Sequence, residues 1–233
     1  MRKSIAILRS ALFLLVFGII TVAWLPFCLL VMPLGKRVFI PIAIAWSSFH
    51  RICARWIVGQ RVVVQGTFPK EPAFYVFKHE SMFETLDLPH LLRGPVIAAK
   101  QELLELPVWG RLARSYGLLA VDRTAGASAL RRLRAEAREA IAAGRALCLF
   151  PEGTRVPHGE APALKSGFAG LYSLLKIPVV PVAVLSGELN PKGFLRYSGD
   201  IIYRVGEAIP PGLDRAVAEE RVHAAINALN SAP

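Results

Sequence analysis

Residues 10–34, SALFLLVFGIITVAWLPFCLLVMPL, contain no charged side chain over 25 positions. As one helix this run would be roughly 37 Å long, enough to cross a hydrocarbon core of about 30 Å. Three readings compete. A cleaved signal peptide fits poorly, because the run outlasts a typical apolar region and a second apolar stretch, Val38 to Phe49, follows at once. A single transmembrane span fits the length. Against it, Pro26 and Pro33 interrupt the helix, and basic residues stand on both flanks: Arg2, Lys3 and Arg9 before, Lys36, Arg37, Arg51 and Arg55 after. The positive-inside bias then holds both ends on the cytoplasmic side. The reading that meets all of this is a helical hairpin, or in-plane helix pair, embedded in one leaflet of the cytoplasmic membrane with the rest of the chain facing the cytoplasm.

The charge distribution agrees. The net charge is +11, yet the first acidic residue is Glu71, so residues 1–70 carry nine basic side chains unopposed. Residues 71–233 hold 19 basic against 17 acidic side chains, only +2. Nucleic-acid binding calls for basic residues spread over a folded face, and is excluded as a partner class. A basic lead segment suits anionic lipid, at roughly 1 kcal/mol per nearby Lys or Arg. Apolar residues make up 54% of the chain and charged ones 19%, which rules out a disordered or solvating chain. Cys28, Cys53 and Cys148 are odd in number and far apart, so a disulfide framework and a four-Cys zinc site are both unsupported. A reducing compartment is expected.

From about residue 59 the texture changes, and we divide the chain there: 1–58 as a basic apolar membrane anchor, 59–233 as an α/β domain. Seven β-rich runs alternate with helical patterns: Arg61–Gln65, Ala73–Phe77, Pro95–Ala98, Leu118–Val121, Ala146–Phe150, Val179–Val184 and Ile201–Val205. Several are almost wholly apolar, as strands covered on both faces are. Leu130, Leu133, Ala137 and Ile141 recur at helical spacing and Gly144 supplies a stop. Asp214 is placed to cap a last helix bearing Val222, Ala225, Ile226 and Leu229 on one face. The expected fold is α/β: a mostly parallel or mixed seven-stranded sheet flanked by helices on both faces.

Two strand ends carry polar clusters, where ligands of open α/β sheets sit. The first is Lys78-His79-Glu80-Ser81-Met82-Phe83-Glu84. On one regular helix, His79 and Glu84 would stand about 140° apart. With His79 on the turn and Glu84 in the first helical turn, the carboxylate can fold back onto one imidazole nitrogen and leave the other to accept a proton. The plainer alternative is a polar turn residue followed by a favourable first-turn charge. A zinc motif H-E-x-x-H begins at His79 but fails, because position 83 is Phe. There is no G-x-S-x-G and no phosphate-binding glycine loop. The second strand end is Phe150-Pro151-Glu152-Gly153-Thr154-Arg155, in which Arg155 offers a fork-shaped donor for phosphate; alone it could be an ordinary turn. Val121-Asp122-Arg123 ends a third strand in opposite charges.

Taken in order, His79 with Glu84, Val121-Asp122-Arg123, F-P-E-G-T-R at 150–155 and Ile177 to Val182 resemble the glycerolipid acyltransferase family, and within it the 1-acyl-glycerol-3-phosphate acyltransferases. Lys100-Gln101-Glu102-Leu103 with Pro107 and Gly110, and Lys165-Ser166-Gly167, look like further segments of that family. The resemblance covers about residues 60–212 and the apolar lead. One departure is Glu84, where the family usually carries Asp; it keeps the charge and changes the reach.

The resemblance implies transfer of a fatty acyl group from acyl-CoA or acyl carrier protein to the sn-2 hydroxyl of lysophosphatidate, giving phosphatidate, with no metal and no cofactor. It implies His79 as general base, Glu84 as its orienting carboxylate, Arg155 as the phosphate anchor, Lys100 and Arg123 as further candidates, and Glu152, Gly153 and Thr154 as residues shaping the substrate pocket. A related acceptor, a lyso-ornithine lipid or lysophospholipid, is the alternative within enzymes. A non-enzymatic module binding anionic lipid is the alternative outside them.

Overall fold

The computed structural model describes residues 2–121 and 127–231. The apolar lead folds as α1 (Arg2–Val31), a 3-10 turn at Met32–Leu34, and α2 (Lys36–Cys53). Pro26 does not end α1. A proline inside a helix removes one backbone hydrogen bond and crowds one carbonyl, and the helix carries that defect here. The break comes instead at Pro33 and Gly35, whose φ of 90° is open to glycine. α2 packs back along α1: Trp46 Nε1 donates to Thr21 Oγ1 at 3.0 Å, and Phe17 lies 5.5 Å from Trp46 between ring centroids. A π-helical turn, Ala54–Val58, leads into the sheet.

There follow β1 (Gln60–Gln65), β2 (Phe74–Phe77), α3 (Met82–Leu91), β3 (Val96–Lys100), α4 (Gln101–Glu105), α5 (Trp109–Tyr116), β4 (Leu119–Val121), α6 (Ala127–Ala142), β5 (Leu147–Leu149), α7 (Ser166–Leu175), β6 (Val179–Leu185), β7 (Gly199–Val205) and α8 (Arg215–Ile226). Among the described residues, the seven strands form one sheet in the order β1-β7-β6-β2-β5-β3-β4. It is mixed: β2 to β6 are mutually parallel, and β7 meets β6 antiparallel and pairs with β1 in parallel. All seven expected strands are present, with every boundary within two residues of the expected one.

The two faces of the sheet follow the two-residue period of a strand. Phe74 and Val76 of β2, with Leu147 and Leu149 of β5, pack beneath α6, α7 and α8. Tyr75 and Phe77, with Cys148, pack on the other face with Phe13 of α1, Cys53 of α2 and Phe83 of α3. The apolar lead and the sheet therefore share a core. Asp214 caps α8, its Oδ1 accepting from Ala216 N at 2.8 Å. The remainder of α1 is bare: Leu8, Val22 and Leu30 are 71%, 68% and 78% exposed.

Gly110, in the first turn of α5, is required by a close approach. A Cβ there would stand 2.0 Å from the Leu104 carbonyl oxygen. Gly110→Ala must push α4 off α5 and is expected to destabilise the protein by about 1–3 kcal/mol. Urea unfolding checks this; an unchanged midpoint would mean that α4 moves freely.

Candidate active site

Because β2 to β6 share one direction, their carboxyl ends meet along one edge of the sheet. His79 follows β2, the Glu152 turn follows β5, Ser186 follows β6 and Lys100 closes β3. This is the crevice where an open α/β sheet binds ligands.

Ser81 caps α3 and Glu84 occupies the third helical position, together forming a capping box. His79 lies two residues before the cap, in the loop between β2 and α3. That placement brings its Nδ1 to 3.0 Å from Glu84 Oε1. The longer side chain at position 84 therefore reaches the ring. Glu84 is fully buried and charged acceptors there need donors. It has them: Oε1 also accepts from the amides of Glu80 at 2.7 Å and Ser81 at 2.6 Å, and Oε2 accepts from Ser81 Oγ and Ser186 Oγ, both at 2.8 Å. Burial alone would push this carboxyl up. The hydrogen bond and charge of His79, with the Ser81 amide, outweigh burial and hold it below the usual carboxylate range.

An ionised Glu84 makes Nδ1 the donor, so Nε2 is the basic nitrogen of the ring. Among the described residues, Nε2 has no hydrogen-bond partner, and the side chain keeps 15% of its surface exposed. The ring stacks on Phe150 at 4.2 Å between centroids and 26° between planes, which fixes its orientation. The geometry is that of an imidazole held in one tautomer and partly exposed.

The turn after β5 is tied to the same strand end. His79 N donates to Glu152 Oε2 at 2.8 Å and Val156 N donates to His79 O at 2.7 Å. Glu152 is buried, and its Oε1 lies 2.8 Å from Lys78 Nζ. Lys78, also buried, donates as well to Glu160 O (2.6 Å) and Asn227 Oδ1 (2.7 Å), so its ammonium ties the turn after β5 to the end of α8. Burial pushes the Glu152 carboxyl up, against the pull of Lys78 and the His79 amide. Both Glu152 oxygens thus face protein groups. Gly153 takes a φ of 68°, Thr154 is exposed and Arg155 is half-buried. No carboxylate among the described residues pairs with Arg155. Arg196, after burial itself, is lowered next by the like charge of Arg155. The region beside the turn is therefore electropositive.

Not every sequence candidate joins this group. β5 separates β3, and with it Lys100, from β2, and the Lys100 backbone pairs with Val121 of β4. Arg123 lies outside the described residues. Asp87 serves elsewhere: it accepts from Arg51 Nε at 2.6 Å and Tyr203 OH at 3.1 Å, tying α2 and β7 to α3. Glu80 accepts from the Ser186 and Gly187 amides, both at 2.8 Å, and contacts His158 Nδ1 at 2.9 Å. Among the described residues, no three His, Cys, Asp or Glu side chains converge as metal ligands. A groove of about 1320 Å³ runs beside β4, lined by Lys36, Leu104, Leu118, Leu133 and Arg145 among others. No dyad residue lines it.

Lys78, Ser81 and Ser186 were not singled out from sequence. S-x-x-E at 81–84 is a readable capping signal that would have placed Ser81 and Glu84 together. Lys78 and Ser186 meet partners 74 to 149 residues away, and carry no local signal.

A histidine–carboxylate dyad stands at the carboxyl edge of a mixed α/β sheet beside an electropositive turn, an arrangement that defines a general-base type of site. The comparisons give the family. The sequence profile described as Acyltransferase matches residues 60–185, and the chain belongs to that family. It is 31% identical over 179 residues to the 1-acyl-sn-glycerol-3-phosphate acyltransferase of Pseudomonas aeruginosa, covering 75% of this chain and 70% of that one. It is 30% identical over 134 residues to the protein of that name from Cocos nucifera, covering 57% of this chain but 43% of that protein, so the match spans under half of this plant relative. The crystal structure of PlsC, the 1-acyl-sn-glycerophosphate acyltransferase of Thermotoga maritima, shares the fold, with a TM-score of 0.70 at 23% identity over 99% of this chain and 98% of that one.

Proposed function

We propose that this acyltransferase moves a fatty acyl group from acyl-CoA or acyl carrier protein to the sn-2 hydroxyl of 1-acyl-sn-glycerol 3-phosphate at the cytoplasmic face of the membrane. The observation that carries the reading is the 3.0 Å contact from His79 Nδ1 to a fully buried Glu84, with Nε2 left open beside the Arg155 turn. An alcohol is almost wholly protonated at neutral pH, so it needs a base to become a nucleophile. His79 Nε2 takes the hydroxyl proton while the oxygen attacks the thioester carbonyl. The C–O bond forms, the C–S bond breaks, and the departing thiolate takes the proton from the imidazolium. Glu84 stabilises that transient cation. The names of the Pseudomonas and Thermotoga relatives support lysophosphatidate as acceptor.

Arg155 anchors the acceptor's phosphate, which sets the hydroxyl against His79. Arg155→Ala is expected to raise the KM for lysophosphatidate by about 10- to 100-fold, the loss of one charge-assisted hydrogen bond, with a smaller change in kcat. Weakened acyl-donor binding alone would reassign the residue. Residues 1–58 act as the anchor and 59–233 as the catalytic unit. α1 touches the domain near both of its ends, through Ser10 and Arg196 at one and Trp24 and Cys28 beside Leu112 at the other. A helix laid along the domain with a bare apolar face suits in-plane insertion into one leaflet.

Radiolabelled acyl-CoA supplied with lysophosphatidate, lysophospholipids and a lyso-ornithine lipid tests the assignment. Phosphatidate is the expected product. Transfer to another lysolipid alone would move the acceptor, and vesicle binding with no transfer to any would make the protein a lipid-binding module.

A further inference from the structure

The joint between α4 and α5 presents apolar side chains to solvent. Leu103, Leu106, Val108 and Trp109 are 45%, 49%, 41% and 46% exposed. Val108 also takes φ 61° and ψ −62°, a conformation that a β-branched residue rarely adopts, with no side-chain cap at the start of α5. In water, this segment combines backbone strain with an uncovered apolar surface. Strain of that kind persists where the surrounding structure uses it.

Its position says what covers it. Trp109 stands one helical turn before Leu112, which with Tyr116 packs against Cys28, Phe39 and their neighbours near the α1–α2 turn. The exposed patch thus continues the bare surface of that turn, where Leu30 and Leu34 are 78% and 66% exposed. On its other side α4 begins directly after Lys100, at the sheet edge that carries His79. Exposed Glu102 and Glu105 balance exposed Arg111 and Arg114, so the attraction here is apolar rather than ionic.

We propose that the α4–α5 joint is a second membrane-inserting element, which enters the same leaflet as α1 and brings the lipid surface up to the site edge beside Lys100. The proposal rests on the reading of α1 and α2 as an in-plane anchor. A lysolipid could then pass from bilayer to dyad without its acyl chain entering water.

The three native cysteines are buried, so an added surface cysteine takes a label selectively. NBD is attached in turn at Leu106→Cys, at Leu15→Cys on α1 (59% exposed) and at Glu220→Cys on α8, on the far face of the sheet. Each labelled full-length protein is mixed with phosphatidylethanolamine–phosphatidylglycerol vesicles. A blue shift with rising emission at 15 and 106, and none at 220, is the expected result, and the shift at 106 should outlast high salt. A shift at 15 without one at 106 overturns the proposal and leaves the anchor intact. No shift at either position overturns both. As a second measurement, Leu106→Asp/Trp109→Asp should lower transfer to vesicle-borne lysophosphatidate roughly tenfold relative to a monomeric short-chain acceptor, since two apolar contacts with lipid are lost. Equal loss on the two acceptors would also contradict it, and no transfer by the wild type to either would overturn the acyltransferase reading instead.

Discussion

Replacing His79 with Ala is expected to lower kcat by about 10²–10⁴-fold, the range of a positioned general base. The fold should survive. The backbone of residue 79 keeps its bonds to Glu152 and Val156, which use N–H and C=O rather than the ring. Glu84 loses one of five donors and keeps the amides of Glu80 and Ser81 and the hydroxyls of Ser81 and Ser186, so its buried charge is not orphaned. The ring itself is partly exposed, and losing its stack on Phe150 removes one aromatic contact, about 0.5–1.5 kcal/mol. Single-turnover transfer of labelled acyl groups, with circular dichroism as the folding control, reads the effect. Activity within a few-fold of wild type in a folded variant would take His79 out of the chemistry.

Lys78→Met is expected to destabilise the protein by about 3–5 kcal/mol. Lys78 is buried with Glu152, and its ammonium also holds Glu160 O, in the loop before α7, and Asn227 Oδ1, at the end of α8. Methionine fills similar space but leaves the Glu152 carboxylate buried without a countercharge. Lys78→Met/Glu152→Gln removes the orphan and is expected to recover part of the loss, so the two changes should couple strongly in a double-mutant cycle. The pH dependence has a defined sign. Glu152 already sits above the usual carboxylate range, and losing Lys78 raises it further. The folded state then binds the proton more tightly than the unfolded one. The deficit of Lys78→Met should therefore be largest at neutral pH and shrink as pH falls through the raised Glu152 value toward the ordinary carboxylate range. Urea unfolding at two pH values measures it; additive effects would show that Lys78 and Glu152 do not interact.

What sequence could reveal depends on how local the cause is. Seven strands were readable because each is a short apolar run bounded by turn chemistry, and the face of α6 was readable from Leu133 and Ala137. The pairing of His79 with Glu84 was readable because five residues span it. The order of the strands was not, since β7 inserts between β1 and β6 through contacts over more than a hundred residues. Ser186 and Lys78 stayed hidden for the same reason. Pro26 misled because a single proline weakens a helix without ending it when the flanking turns are otherwise sound.

Glu84 has two jobs in this account, helix cap and partner of His79, and Glu84→Gln separates them. Glutamine also serves in a capping box, and its amide group can face the Ser81 and Ser186 hydroxyls, so α3 should keep its start. Only the negative charge beside the imidazole is removed. Steady-state kinetics of this variant with acyl-CoA and lysophosphatidate should show kcat down by roughly 10²-fold or more with both KM values close to wild type. An unchanged kcat would leave Glu84 as a cap alone, and His79 without the carboxylate that the mechanism requires.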